Sequence, residues 1–334
     1  IIGGKKPVST DAGIEAMNND TVLVGGMPIG IYMETDGVMV LNTEQIAGAD
    51  GKEHEPAKGI VKAGDYIMAV DHCEITGKKE LLEAVGNLTG TFVVLTVRRN
   101  GETIDLKIKP VEYETGEYRL GIWVRDNVQG LGTVTFLTDQ SRFGALGHGI
   151  HDVDTSVLMS IAEGNVYRTS IRDITKGQSG SPGSMEGMII YNNYNILGTI
   201  DKNTEAGIYG KIDKIDELFT EQTAIRTAKK EEIITGPATI RCFVDNEVRE
   251  FDIEVTQVDM MSQEINKGLV IKVTDEELLE KTGGIIQGMS GSPIIQNGKL
   301  IGAVTHVFVQ DSTKGYGIFI ENMLKQVNLP EMCG

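Results

Sequence analysis

The feature that most constrains the fold of this chain is an internal repeat of a serine-containing turn. GQSGSP at 177–182 and GMSGSP at 288–293 differ at one position. Each copy is followed by a short apolar stretch that contains glycine, at 197–200 and 301–304, and then by a glycine-rich turn. The separation of the copies exceeds the period of about 20–50 residues that characterises solenoid repeats. The sequence therefore predicts two similar halves, each made of turns and short strands.

Composition supports a protein built mainly from β-strands. The chain has 334 residues, enough for two or three domains, with 41 glycines and only 8 prolines. Such usage is typical of many tight turns between short strands. No apolar stretch reaches the roughly 18 residues that a membrane helix needs, so we expect a soluble chain.

Charge, cysteine and histidine content exclude several classes of function. The formal net charge of −17 leaves no surplus of cations to meet phosphates, so nucleic acid and anionic lipid are not expected partners. Cys73, Cys242 and Cys333 are odd in number and far apart, which argues against a zinc site and a disulfide framework. The five histidines lack ligand spacing with carboxylates. We expect neither a metal nor a cofactor.

The second copy of the repeat has the features of a nucleophile turn. Ser290 lies between glycines on a turn that opens into an apolar strand, and glycine permits the sharp bend. The backbone N–H groups of Gly288 and Ser290 can then point at a developing oxyanion. Ser179 has the same local turn and is the rival nucleophile. It is followed by Gly183, which breaks strand continuation, so we interpret Ser179 as a structural relic.

His148 is the candidate general base. It lies between two glycines after an apolar pair, in a turn at a predicted strand end, where loops place functional groups on a rigid sheet. His151 is its nearest competitor. His148 belongs to the first half and Ser290 to the second. This is the arrangement of chymotrypsin-like peptidases, in which two β-barrels face each other across the catalytic cleft.

The N-terminal part resembles a PDZ domain of the bacterial protease-associated kind, over residues 21–112. The matching residues are PIGI at 28–31, placed like the family's carboxylate-binding loop, and AGDYI at 63–67. The resemblance implies capture of a peptide C-terminus by addition of a strand to a sheet edge. The N–H groups assigned to that carboxylate are those of Ile29, Gly30 and Ile31.

The remaining boundaries follow from the same patterns. Residues 1–20 are a polar lead-in segment, and 113–334 form the peptidase domain, with halves over roughly 120–212 and 231–330. The opening IIGG matches the N-terminus of activated trypsin-like enzymes, but Met289 precedes Ser290 and cannot form the required ion pair. We treat that match as coincidence.

Three local expectations belong to the peptidase part. Trp123, the only tryptophan, is most simply a core residue, and the stretch 211–230 has a helical pattern. Thr274 is the expected cap of a helix whose first turn is acidic.

Taken together, the sequence resembles the stage IV sporulation protein B peptidases of spore-forming Firmicutes. The resemblance covers about residues 21–330, and the run 287–298 is its most specific part; the stretches that carry it are 120–126, 144–148, 273–275, 283–298 and 302–309. It implies a serine endopeptidase of the Ser/His/Asp type, with Asp275 as the third triad member. Asp201 is the rival acid, because its position after His148 is nearer the order in two-barrel peptidases. Thr305 and His306, on the strand after the nucleophile, are candidates for the substrate cleft.

The family resemblance also implies a biological setting. Its members act in sporulation signalling: they are secreted from the forespore into the space between the two membranes. There they cut themselves and then a regulator of an intramembrane protease, which activates a mother-cell sigma factor. Members have an N-terminal membrane segment that this chain lacks, so membrane contact is expected only through such a segment. The alternative is a non-catalytic adaptor that binds peptides through its PDZ domain and keeps the peptidase part as a scaffold.

Overall fold

A computed structural model describes residues 20–221 and 223–328, and the structure is mainly β. The predicted lead-in segment 1–20 therefore lies outside the described residues except for Asp20. The strands are β1 (Thr21–Val24), β2 (Pro28–Thr43), β3 (Ile46–Ala47), β4 (Glu53–His54), β5 (Tyr66–Val70), β6 (Cys73–Glu74), β7 (Val93–Arg99), β8 (Glu102–Ile108), β9 (Val111–Glu114), β10 (Glu117–Arg119), β11 (Ile122–Leu137), β12 (Arg142–Ala145), β13 (Ile161–Tyr167), β14 (Thr169–Thr175), β15 (Ser184–Ile189), β16 (Ile196–Thr204), β17 (Gly207–Ile212), β18 (Ala224–Thr227), β19 (Gly236–Val244), β20 (Glu247–Val258), β21 (Leu269–Val273), β22 (Pro293–Gln296), β23 (Lys299–Phe308) and β24 (Asp311–Phe319).

The helices are few and short. They are α1 (Lys78–Gly86), α2 (Ile215–Leu218), α3 (Glu276–Thr282) and α4 (Ile320–Asn328), with 3₁₀ turns at Asn193–Asn195 and Lys230–Glu232. Within the part of the chain that the structure describes, no helix has the length and apolar character needed to cross a membrane.

The described residues divide into two compact units. The larger unit comprises 20–32, 129–150 and 164–328, and the smaller unit comprises 33–128 and 151–163. The predicted boundary after residue 112 does not coincide with this division. β1, expected in the N-terminal domain, pairs with the end of β11 and with β18 of the larger unit, at Leu23↔Leu137 and Leu23↔Ala224. The unit to which β1 belongs is set by its pairing with strands that are distant in sequence, and local sequence patterns do not contain this information.

The second half of the larger unit is a closed barrel. Its six strands pair antiparallel in the ring β19, β20, β21, β24, β23, β22 and back to β19. Alternate residues point inward, so that Ile240, Phe251, Ile253 and Val273 are all buried in its core. Closure leaves no free sheet edge, and the barrel is a rigid frame for the turn that precedes β22.

The first half of the larger unit is built on five strands that pair antiparallel in the order β11, β12, β17, β16, β13. The element order after each copy of the repeat agrees with the sequence: β15, β16 and β17 follow the first, and β22, β23 and β24 follow the second. The pairing differs, however. β15 pairs with β14 in a separate two-stranded sheet. The first copy is thus the connection between the two strands of a hairpin, β14 and β15, whereas the second copy leads into a strand of the barrel, β22.

The smaller unit packs α1 against strands β5, β7 and β8. Leu81 of α1 and Ile67, Leu95 and Val97 of the strands belong to one buried cluster. The predicted hairpin is present, because Asn100 (φ 52°) and Gly101 (φ 81°) form the two-residue turn between β7 and β8.

Three local expectations need correction. Trp123 is 58% exposed, and its indole N–H donates to a Glu44 carboxylate oxygen at 2.8 Å, so it is not a core residue. Among the described residues of 211–230, the structure has the end of β17, the four-residue α2, β18 and the first residue of a 3₁₀ turn rather than one long helix, because a short apolar pattern does not distinguish helix from strand. The cap of α3 is Asp275 rather than Thr274.

Candidate active site

Ser290 lies in a tight turn between α3 and β22. Ser292 N donates to Met289 O at 2.9 Å, and Met289 N donates to Ile286 O at 3.1 Å. The Met289 side chain is fully buried, whereas Ser290 is half-buried. The methionine thus anchors the turn in the barrel core and leaves the serine hydroxyl at the surface of the site.

The turn is held from the first half by two threonines of β11. Thr133 N donates to Ser290 O at 2.9 Å and Thr133 Oγ1 to Gly288 O at 2.7 Å. Thr135 Oγ1 donates to Gly291 O at 2.7 Å. Both threonines are almost fully buried. Sequence reasoning missed them, although buried polar residues that alternate on an apolar strand are a signal of a specific contact.

The backbone around Ser290 is arranged to accept an oxyanion. Gly288 has φ +105°, a positive value that glycine adopts without strain because it has no Cβ. Within 20–221 and 223–328, the N–H groups of Gly288 and Ser290 donate to no protein acceptor. They remain available for a developing oxyanion, the arrangement that stabilises a tetrahedral intermediate.

His148 approaches the same place from the first half. It follows β12 through Leu146 (φ 68°) and Gly147 (φ 71°), two successive residues in the left-handed region. A Cβ on Gly147 would meet Thr305 Cγ2 at 3.0 Å, and one on Gly291 would lie 2.5 Å from Leu146 N. The chain just before His148 is therefore packed against the residue after Ser290 and against β23.

A second histidine faces His148. The rings of His148 and His306 lie with their centroids 4.8 Å apart at 32°. His148 Nδ1 is 2.9 Å from Gly149 O, and His306 is exposed. Asn203 of β16 holds the end of this loop: its amide accepts from Ile150 N and donates to Ile150 O, both at 2.9 Å. Sequence reasoning did not single out Asn203.

The Ser290 hydroxyl donates to Thr305 O at 2.9 Å. Thr305 itself is buried, and its Oγ1 donates to Asn266 O at 2.7 Å. Of the two residues predicted to line the substrate cleft, His306 is thus exposed beside His148, whereas the Thr305 side chain points into the protein. In this structure the Ser290 hydroxyl proton is directed at a backbone carbonyl.

Asp275 is the N-cap of α3 in the structure. Its Oδ1 accepts from Leu278 N at 3.0 Å and its Oδ2 from Asp252 N at 3.3 Å. It makes no hydrogen bond or ion pair with His148 within the described residues. The structure therefore does not bring the predicted acid to the predicted base. The local pattern of a capped acidic helix start accounts for its position.

The rival acid Asp201 is also engaged elsewhere. Its carboxylate forms a two-pronged ion pair with the Arg142 guanidinium, one contact being 2.8 Å from Arg142 Nη2. Within the described part of the chain, the hydrogen bonds and ion pairs of Asp201 join it to Arg142 and not to His148. His151, the rival base, belongs to the smaller unit, where it bridges to Leu158.

The rival nucleophile Ser179 has a different environment from Ser290. Its hydroxyl donates to Gln310 O at 2.9 Å, at the tip of the β23–β24 hairpin, and Ser179 is exposed.

Burial raises the pKa of the Cys242 thiol to about 12, so that thiol stays protonated and is not a competing nucleophile. In the described residues no group of three or more His, Cys, Asp or Glu side chains is arranged to hold a metal ion.

The predicted carboxylate-binding residues are not in a loop of the smaller unit. Ile29, Gly30 and Ile31 lie in β2, within the part that belongs to the larger unit, and they are buried. A Cβ on Gly30 would meet Ile189 Cδ1 at 2.7 Å. The structure therefore corrects this prediction, because a strand packed this closely leaves no room for a peptide.

The smaller unit instead has an apolar groove elsewhere. It has a volume of about 540 Å³ and lies between α1 and the start of β11. Its apolar lining consists of Ile67, Leu81, Leu82, Val85, Leu120, Ile122 and Val124. Leu82 lines the groove, and 58% of it is exposed to solvent. Arg119, Glu44 and Glu117 also line the groove, so its polar lining carries both signs of charge.

Comparison with known proteins agrees with this architecture. The family described as SpoIVB peptidase S55 matches residues 116–324, which is more than half of the chain. No curated protein matches the chain. The predicted fold class is confirmed in that the described residues are mainly β and a peptidase family matches the part that contains the barrel.

Solved structures resemble parts of the chain at low identity. The PDZ domain of the SdrC-like protein from Listeria innocua is 24% identical with a TM-score of 0.23, covering 27% of this chain and 94% of that one. The HtrA-type protease AlgW with a decapeptide is 9% identical with a TM-score of 0.35, covering 96% and 66%. The active form of the Rv3671c protease from M. tuberculosis is 12% identical with a TM-score of 0.32, covering 62% and 78%.

Proposed function

Since this chain belongs to the SpoIVB peptidase S55 family and is a serine endopeptidase, we propose that Ser290 is its nucleophile and His148 its general base. The observation that supports this most is the environment of Ser290. Its turn offers two N–H groups without a protein acceptor in the described residues, and the His148 turn packs against the next residue of the chain.

Catalysis begins with a rotation of the Ser290 hydroxyl away from Thr305 O. The oxygen attacks the scissile carbonyl carbon while His148 accepts the hydroxyl proton. The carbonyl oxygen becomes negative and accepts hydrogen bonds from the N–H groups of Gly288 and Ser290. In related sites each such donor stabilises the transition state by on the order of 3–4 kcal/mol. The C–N bond then breaks as His148 gives its proton to the leaving amine, which leaves the acyl group as an ester on Ser290 Oγ. Water attacks this ester while His148 accepts a proton from the water. The ester bond breaks, His148 returns the proton to Ser290 Oγ, and the acid product is released.

We further propose the biological setting that the family name suggests. The peptidase acts in sporulation signalling, in the space between the forespore and mother-cell membranes. There it cuts itself and then a regulatory protein, which leads to activation of an intramembrane protease and of a mother-cell sigma factor. The family match supports this setting.

The test of the proposed chemistry is self-cleavage of the purified chain, followed by electrophoresis and N-terminal sequencing. Ser290→Ala abolishes self-cleavage, because alanine has no attacking oxygen. Ser179→Ala is the matched control from the other copy of the repeat and retains cleavage within about twofold, since it removes one exposed hydrogen bond to Gln310 O while the neighbouring Gly180 N still donates to Val309 O. Equal loss in both variants, or loss in Ser179→Ala alone, would contradict the assignment.

A second function is peptide capture by the smaller unit. The apolar groove between α1 and the start of β11 supports it, because an exposed Leu82 on a concave apolar surface marks a binding site. Arg119 is the cationic residue among those that line the groove and is the proposed partner of a peptide carboxylate, beside Glu44 and Glu117 of the same lining.

The groove is tested with a labelled C-terminal peptide library, screened once with free carboxylates and once with C-terminal amides. We expect binding that needs the carboxylate and weakens at least about tenfold in Leu82→Glu, since a charge then enters an apolar contact. Phe92→Glu is the control: Phe92 is 55% exposed in the same unit but does not line the groove. Binding that is equal in both variants would place the peptide elsewhere.

A further inference from the structure

The first copy of the repeat is joined to the loop that precedes the nucleophile. Gln287 N donates to Gly183 O at 2.8 Å, and Met185 N donates to Gln287 O at 2.8 Å. The pairing is a parallel bridge centred on Ser184 and Gln287. Gln287 directly precedes Gly288, whose N–H belongs to the proposed oxyanion site. Both backbone groups of Gln287 are thus fixed by a segment of the first half.

Met185 also contacts Gly288 through its side chain. A Cβ on Gly288 would lie 2.9 Å from Met185 Cβ and 3.5 Å from its Sδ, so the methionine side chain lies against the Gly288 Cα. Met185 is only 6% exposed and is part of the barrel core cluster. On the other side, Thr133 Oγ1 donates to Gly288 O. The Gly288 peptide is therefore held between β11 and Met185.

The segment 177–185, here called the strut, is itself anchored at its far end. Gly180 N donates to Val309 O at 2.9 Å, and Ser179 Oγ donates to Gln310 O at 2.9 Å. Gly177 N donates to Thr282 O at 2.8 Å, at the end of α3. Gly183 is needed where the strut folds back, because a Cβ there would overlap Thr175 O and Gly177 N. These contacts tie the strut to the second barrel.

We propose that the strut positions the oxyanion site, and that Met185 is the positioning residue that holds the Gly288 N–H in its productive direction. The physical reason is that an oxyanion donor acts only within about 2.7–3.1 Å of the oxyanion. A displacement of about 1 Å in such a site costs on the order of 10²-fold in rate. The inference rests on the proposed role of Ser290. It gives the first GxSGSP copy a role in the reaction although Ser179 is not the nucleophile.

The test uses the full chain and a fluorophosphonate probe, whose phosphoryl oxygen occupies the oxyanion position in the adduct. Labelling is followed as a function of probe concentration, which separates kinact from KI. In Met185→Ala we expect kinact to fall about 10–100-fold with KI unchanged, because the probe still binds but the donor is displaced. Met185→Leu, which refills the space, restores kinact to within about threefold.

Met188→Ala is the matched control, because Met188 lies on the same strand, β15, and is 37% exposed. It leaves both constants within about twofold. Circular dichroism verifies that each variant is folded; if Met185→Ala is not, Met185→Val takes its place. An unchanged kinact in the folded variant, or a raised KI with unchanged kinact, would overturn the role of Met185. A wild-type chain without an adduct at Ser290 would instead overturn the nucleophile assignment on which the inference rests.

Discussion

At the scale of single residues, the site depends on glycines that admit no side chain. Gly291, directly after Ser290, has φ +97°, and a Cβ there would overlap Thr133 O and lie 2.5 Å from Leu146 N. This close approach is what packs the first half, and with it the His148 turn, against the nucleophile turn. Gly291 is therefore required both by backbone conformation and by space.

Gly291→Ala should accordingly be strongly destabilising. We expect a loss of about 3 kcal/mol in the free energy of unfolding, since backbone strain and overpacking add. Gly298→Ala is the control: Gly298 has φ +71° but nothing within 4 Å of a Cβ, so only strain of about 1 kcal/mol is expected. Urea unfolding monitored by circular dichroism measures both. Equal losses would show that the contact with β11 does not matter.

At the scale of elements, α3 is positioned by its cap. Asp275 accepts hydrogen bonds from Leu278 N and from Asp252 N of β20, so one carboxylate joins the helix start to the barrel. Leu278 and Thr282 are the buried residues of α3, and the loop that follows the helix leads to Ser290. The cap therefore helps to fix the path toward the active site.

Removal of this cap has an expected cost. Asp275→Ala should lower the free energy of unfolding by about 1 kcal/mol, whereas Asp275→Asn should change it by less than about 0.5 kcal/mol, because asparagine caps helices as well as aspartate. Thermal and urea unfolding of the two variants give the comparison. An equal loss in Asp275→Asn and Asp275→Ala would mean that the carboxylate charge, rather than the cap, stabilises α3.

Sequence patterns predicted elements better than they predicted pairings. The α1 helix, the β7–β8 hairpin and the order of strands after each repeat copy follow from periodicity and turn residues. The partner of β15 and the place of β1 could not be read in this way, because strand pairing is set by contacts between distant segments. Ile29–Ile31 was misplaced for the same reason: a glycine between apolar residues fits a buried strand as well as a loop.

At the scale of the whole molecule, the repeat and the position of His148 predicted two halves that share one active site, and the site itself stays a prediction. In the structure the Ser290 turn and the His148 turn come from different halves and pack together. His306 was already a candidate from the sequence, whereas Thr133 and the strut reach the Ser290 turn through contacts that the sequence does not display. The predicted acid is the exception. The family resemblance indicated Asp275 and the order along the chain indicated Asp201, but in the structure Asp275 caps a helix and Asp201 pairs with Arg142.

The most direct test of Ser290 as the nucleophile is to locate the residue that a covalent probe labels. The wild-type chain, Ser290→Ala and Ser179→Ala are each treated with a fluorophosphonate, digested and mapped by mass spectrometry. We predict one adduct, on Ser290, in the wild type and in Ser179→Ala, and none in Ser290→Ala. An adduct on Ser179, or an adduct that persists in Ser290→Ala, would contradict it.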